Sequence, residues 1–297
     1  MKILWLEPEA HVPGGGPRTS LALAEALRTE GCDVELVSAL PWNEIPERKD
    51  ICDVVFSQQW SAENASLFAR AIRKPMVHFL HGPGQVGTAP LSDLFVFNSW
   101  HQLDLARDDV SASGKTIVLH PRVADAVWHE QTVKRHAILT MGTGHTKGID
   151  AVVGAAAFLP HEHFVIASNN AEPEGLPPNV IWTGTTPTPE KLYSIAKLFV
   201  LPSTVESFGL VYAEASVSGV PSIACDLPGP REALFDQGVF VPASSPAELA
   251  SAISLSLARL PALERGIADA RMWTADRERV ELQMFLSALR ALSRKYG

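Results

Sequence analysis

The sequence predicts an α/β fold made of two Rossmann-like halves. Three observations predict it. Short apolar runs recur along the chain, as in parallel strands buried on both faces. Glycine-rich loops and stretches of helical spacing lie between them. The order strand, glycine loop, helix, strand occurs once from Lys2 and again from Ala137.

The first half opens with a strand at Lys2 to Leu6, followed by Pro13-Gly14-Gly15-Gly16-Pro17. Thr19 to Thr29 has helical spacing and ends at Gly31, and Asp33 to Ser38 reads as the next strand. The glycines permit close backbone approach to a ligand, and a helix start favours anions. A flexible turn explains this loop equally well. It is not a GxGxxG fingerprint, which argues against a nicotinamide cofactor. Ile51 to Phe56 is a third strand, reached through a loop from Pro41 to Asp50. Ala62 to Ile72 is helical, and Pro75 to Leu80 is a strand that runs into His81-Gly82-Pro83-Gly84. His81, just past a strand end, is placed to meet a ligand; a core histidine in a turn is the alternative. His78, inside the strand, reads as structural. Leu94 to Asn98 is a strand, Ser99 opens a helix, and Thr116 to Leu119 leads to His120-Pro121-Arg122. The first half ends near residue 121.

The second half begins with a strand at Ala137 to Met141, the loop Gly142-Thr143-Gly144-His145-Thr146-Lys147-Gly148, and a helix from Ile149 to Phe158. Lys147 is one of few basic residues in this half, and a phosphate-bearing ligand would need its charge. The spacing is not that of a Walker A loop. The alternative is a solvated lysine at a helix start, where the helix dipole disfavours it. Phe164 to Ser168 and Val180 to Trp182 are strands, and Pro189 to Ala196 is a helix with Thr188 as its N-cap.

The unit around which this half is organised is Lys197 to Cys225. Leu198 to Leu201 is a strand, Leu210 to Ser218 a helix closed by Gly219, and Val220 to Cys225 another strand. Glu206 lies in the loop at the mouth of the helix and Glu214 within it. The helical neighbours of Glu214 are Leu210, Val211 and Val217, so a buried carboxylate there needs partners, which a ligand diol would supply. Phe208 and Gly209 put amide groups at the helix start. Taken singly, Glu206 reads as a complement to the helix dipole and Glu214 as solvated. Together, at the carboxyl ends of parallel strands, they read as a ligand site. Gly229-Pro230-Arg231-Glu232 then starts a short helix, and Val239 to Val241 is the last strand. Pro246 to Leu260 is amphipathic, and Arg271 to Arg290 is a long helix expected to pack back on the first half.

The 297 residues suffice for two domains, and 46% hydrophobic with 20% charged residues describes an ordinary globular chain. A net charge of −8 argues against a broad nucleic-acid-binding surface. Cys32, Cys52 and Cys225 are too dispersed for a disulfide framework or a thiolate zinc site. His161-Glu162-His163 lacks a third ligand, and no DxD motif occurs, so no metal is expected. MKILWLEPEA does not read as a signal peptide, and no apolar run approaches a membrane span. These features predict a soluble cytoplasmic protein with association at a membrane surface left open, and they leave the oligomeric state undetermined.

MGTGHTKGID, NVIWTGTTPTPEKLYSIAKLFVLPS, ESFGLVYAEASVSGVPSIA and GPRE follow one another between Ala137 and Val241. With the Glu206–Glu214 spacing, they resemble the GT-B-fold retaining glycosyltransferases of glycosyltransferase family 4. GGG after the first strand, FLHG, FNS and HPRV resemble the family's first half.

The resemblance implies an acceptor-side domain over residues 1–121, a nucleotide-sugar donor domain over 122–275, and a C-terminal helix over 276–297 that returns to the first domain. It implies transfer from a nucleotide-diphosphate sugar, such as a UDP- or GDP-hexose, to an unknown acceptor with retention of anomeric configuration and without a metal or other cofactor. Glu206, His81 and Lys147 would act in catalysis. Donor binding would fall to Gly15, Gly16, Thr143, Lys147, Glu206, Ser207, Phe208, Gly209, Leu210 and Glu214, with Glu214 on the ribose. The family usually carries an arginine directly after the glycine, where this chain has Gly142-Thr143. Arg18 and Arg122 are candidates to supply that charge to the phosphates. A non-catalytic nucleotide-sugar-binding module and a sugar-nucleotide epimerase on the same fold are the alternatives.

Overall fold

The computed structural model describes residues 1–6, 14–41, 51–58, 62–82, 92–110, 115–123, 134–242, 245–270 and 273–296. The expected loop over 42–50, Pro13, Pro83-Gly84 and the start of the last helix at Arg271 lie outside them. The chain divides into two units. Unit 1 is Met1–Arg122 with Asp276–Gly297, and unit 2 is Val123–Ala275.

Among the described residues, unit 1 is a parallel sheet of six strands. They are β1 (Lys2–Leu6), β2 (Asp33–Val37), β3 (Val54–Gln58), β4 (Met76–Leu80), β5 (Leu94–Phe97) and β6 (Lys115–Val118), in the order β2-β1-β3-β4-β5-β6. The sequence follows from position in the sheet. β3, β4 and β5 are central and read as unbroken buried runs, whereas β2 and β6, at the edges, expose Asp33, Glu35, Lys115 and Thr116. One face is covered by α1 (Gly15–Thr29) and α10 (Ala275–Tyr296), the other by α2 (Ala62–Ala71) and α3 (Trp100–Val110). On α10, Leu282, Phe285, Leu286, Leu289 and Leu292 form one stripe at helical spacing, and all are buried with the β-sheet residues of unit 1. Phe285 packs on Phe56 and Phe79, and burying such a ring is worth about 1.5–3 kcal/mol.

Unit 2 repeats the plan with β7 (Ala137–Met141), β8 (His163–Ala167), β9 (Val180–Trp182), β10 (Ala196–Leu201), β11 (Ser222–Cys225) and β12 (Val239–Val241). The order is β12-β11-β10-β7-β8-β9, parallel throughout among the described residues. Its helices are α4 (Ile149–Phe158), α5 (Pro189–Ile195), α6 (Leu210–Val217), α7 (Pro228–Leu234), α8 (Pro246–Ala258) and α9 (Leu260–Ala270).

Several element boundaries differ from the sequence reading. α1 begins at Gly15 rather than Thr19, because Pro17 falls in the first turn, where no N–H is needed. β3 lies two to three residues later than expected and carries Ser57 and Gln58, whose polarity hid them. The run from Pro246 breaks after Ala258, and a second helix starts at Leu260, since Pro261 cannot continue α8. α10 spans Ala275–Tyr296 instead of ending at Arg290. Thr188 makes no side-chain cap bond; Pro189 opens α5 without one. No described helix is long and apolar enough to cross a membrane.

Candidate functional site

The site in unit 2 is built where β7 and β10 lie side by side. The connection from β7 runs to β8 on one side of the pair, and the connection from β10 runs to β11 on the other. Their carboxyl ends therefore form a switch point, where two loops diverge and leave a crevice. The loop 142–148 and the loop 202–209 both start there.

Backbone geometry fixes these loops. The Thr204 N–H donates to the Thr146 carbonyl at 2.8 Å, which joins one loop to the other. Gly148 has φ 67°, and a Cβ there would lie 2.4 Å from the Pro202 carbonyl oxygen, so no other residue fits. The Gly144 N–H donates to Asn170 Oδ1 at 2.9 Å. Lys147, expected in a loop, sits at the end of a 3-10 turn over His145–Lys147. Its stem crosses Gly142, where a Cβ would approach Lys147 Cγ to 3.1 Å. The ammonium thus reaches the second loop, and Lys147 Nζ donates to Glu206 Oε2 at 2.5 Å. Both side chains are mostly buried. Glu206 is therefore more than a complement to the α6 dipole: it is the lysine's ion-pair partner.

Glu214 is 1% exposed, so the solvated reading of this carboxylate is overturned. The Tyr193 hydroxyl lies 3.0 Å from Glu214 Oε2 and 2.9 Å from the Val211 carbonyl oxygen. Sequence reasoning missed Tyr193; the signal was a tyrosine on the core face of α5, whose hydroxyl must find a partner. It also missed Tyr212, whose hydroxyl donates to the Leu201 carbonyl at 2.5 Å and whose pKa burial raises. Gly209 has φ 92° and precedes α6, so the amides of residues 208–210 open that helix. Phe208 is buried against Trp273, Ser207 is buried, Leu210 is partly exposed, and Thr143 is exposed.

The remaining expected residues lie in unit 1. Gly15 and Gly16 are the first residues of α1. At the end of β3, Gln58 Oε1 accepts from Ser20 Oγ at 2.6 Å and lies 2.9 Å from His81 Nε2. Asn98 Nδ2 donates to the His81 carbonyl and Gln102 Nε2 to that of Gly82. Burial pushes the His81 imidazole down to about 4, so it is neutral near pH 7. Arg18 is exposed on α1. Arg122 is engaged within its own unit: its guanidinium lies 3.5 Å from Glu278 Oε2. A small pocket lies at the carboxyl ends of these strands, lined among others by Trp5, Ser20, His81, Asn98, His120 and Arg122. Among the described residues, no three His, Cys, Asp or Glu side chains converge as a metal site would need.

Residues 135–259 match the family model described as Glycosyl transferases group 1. A D-inositol 3-phosphate glycosyltransferase of Thermomonospora curvata is 31% identical over 160 residues, which is 44% of this chain and 37% of that protein. The chain thus aligns with little more than a third of that relative's length. Among solved structures, sucrose-phosphate synthase of Thermosynechococcus elongatus superposes with a TM-score of 0.77 at 18% identity, covering 98% of this chain and 99% of that one. Anabaena HepE in complex with UDP and glucose superposes with a TM-score of 0.73 at 16% identity, covering 98% and 100%. The two parallel sheets with their helices are the GT-B fold.

Proposed function

We propose that this GT-B protein is a retaining glycosyltransferase that uses a nucleotide-diphosphate sugar. The observation that carries the reading is the convergence of Lys147, Glu206 and the opening of α6 at the β7–β10 switch point, with Glu214 buried on the same helix. The match of residues 135–259 to Glycosyl transferases group 1 supports it, and so does HepE, a structural neighbour solved with UDP and glucose.

In this reading the donor's ribose hydroxyls donate to Glu214, which a carboxylate accepts well. The diphosphate draws Lys147 away from Glu206 and meets the amides at the start of α6. Glu206, released from its ion pair, takes hydroxyls of the donor sugar. In unit 1, Gly15, Gly16 and His81 are assigned to ligand contact. The bond from the sugar's anomeric carbon to the diphosphate breaks, and a bond from the acceptor oxygen forms on the same face. The acceptor's proton passes to the leaving diphosphate, whose charge the lysine and amides stabilise. No divalent cation is assigned a role.

Incubating the protein with UDP- and GDP-hexoses and a panel of hydroxyl acceptors, D-inositol 3-phosphate among them, tests the proposal. Release of nucleoside diphosphate with a glycoside of unchanged anomeric configuration is expected, and EDTA leaves the rate unaltered. Binding of donors without release or transfer would instead support a non-catalytic module, a reading favoured by Thr143 standing where an arginine is usual.

A further inference from the structure

Gln58 is a polar side chain that the reaction as described does not use. It is 4% exposed at the carboxyl end of β3, beside β1 and β4 in the sheet. A buried amide in such a place must be satisfied, and its oxygen is: Ser20 Oγ donates to it at 2.6 Å from α1, and His81 Nε2 lies 2.9 Å away. An amide oxygen has two lone pairs and donates nothing. The imidazole proton facing it must therefore sit on Nε2, which leaves Nδ1 as an acceptor.

Ser20 reinforces this orientation. Its hydroxyl is 3.2 Å from the Gly16 carbonyl oxygen as well as 2.6 Å from Gln58 Oε1, and one hydrogen serves the shorter contact. Were it committed to Gly16, Gln58 would turn its NH₂ to both neighbours, and the proton on His81 would move to Nδ1. The ring is also held by stacking on Phe79, with centroids 6.5 Å apart and planes 12° apart, while the bonds from Asn98 and Gln102 fix the backbone of residues 81–82.

We propose that Gln58 is a positioning residue for the transfer reaction: it holds His81 as the Nε2–H tautomer, so that His81 meets a ligand hydroxyl through Nδ1 as an acceptor, and not a phosphate oxygen as a donor. The inference rests on the transferase reading for the role of His81. The tautomer itself does not. Burial keeps the ring neutral, which an acceptor role requires.

Long-range proton–nitrogen correlation spectra of histidine-labelled protein near pH 7 report which ring nitrogen carries the proton, with His81→Gln assigning the signal. The wild-type spectrum is expected to show Nε2 protonated and Nδ1 bare at His81. In Gln58→Met that signal shifts to a mixture of tautomers. With an active donor and acceptor pair, Gln58→Met is expected to lower kcat by about 10- to 100-fold with donor KM within about twofold, the cost of a misaligned group. A wild-type proton on Nδ1, or a tautomer unmoved by Gln58→Met, overturns the proposal. So does a Gln58→Met kcat equal to wild type. If wild-type protein transfers no sugar, the transferase reading fails, and the spectrum still decides the tautomer. The wild-type spectrum needs no stable Gln58 variant, so a Gln58→Met chain that fails to fold does not shield the claim.

Discussion

The ion pair between Lys147 and Glu206 sets the terms on which any ligand enters unit 2. At 2.5 Å and mostly buried, the pair keeps both charges largely from bulk water. Removing one partner leaves the other desolvated, which costs more than a surface pair would. A diphosphate must therefore outbid Glu206 for the ammonium, and its own charge makes that possible. The exposed Thr143 lies in the same loop, at the position where the resembling family usually carries arginine. Thr143→Arg should tighten binding of a nucleoside diphosphate by about tenfold, the worth of one charged hydrogen bond. Titration at low salt measures it, and equal affinity would mean that this position does not face the phosphates.

At the scale of elements, the helix α7 supports the loop that carries Glu206. A Cβ on Gly229 would lie 2.6 Å from the Glu206 carbonyl oxygen and 2.7 Å from that of Ser207. Backbone oxygens cannot yield as a flexible side chain does. Gly229→Ala should therefore cost about 1–3 kcal/mol of stability and lower turnover by displacing Glu206. Thermal unfolding and steady-state rates check both; a fully active, fully stable variant would show that α7 can shift freely. The glycine's role was not legible in the sequence, because the contact joins segments that pair only after folding. The strands were legible for the opposite reason. β4, β5, β7 and β10 are buried on both faces, so their residue types report burial directly. The place of Glu214 on an apolar helix face was legible too, but its partner Tyr193, on α5, was not. Gln58 escaped notice because a glutamine at a strand end carries no pattern of its own until Ser20 and His81 are seen beside it.

For the whole molecule, the buried histidines of unit 1 make stability fall with acid. In unit 1, burial pushes His78 down to about 3 and His81 down to about 4. Both rings titrate near 6.5 in an unfolded chain. Their folded values are lower, so below about pH 6.5 the unfolded chain binds protons that folded unit 1 refuses. The stability gained by keeping them neutral is complete above that value and is lost as pH falls toward 4 and 3. Glu281 adds to this with the same sign. Burial alone would raise its carboxyl, but hydrogen bonds and charge from His120 more than offset that and hold it low. Calorimetry should show the unfolding of unit 1 moving down by several degrees between pH 7 and about pH 4.5. An unmoved transition would mean that these rings are hydrated in the folded protein.

In the proposed function, Lys147 and Glu214 bind the two ends of one ligand, the diphosphate and the ribose of a sugar nucleotide. Calorimetric titration of UDP and of GDP into wild-type, Lys147→Ala and Glu214→Gln proteins tests it most directly, with circular dichroism to establish that each variant is folded. The wild-type protein is expected to bind at least one of the two, and each substitution to weaken that binding by about tenfold or more. Equal affinity in all three proteins, or no binding of either nucleotide by the wild type, would contradict it.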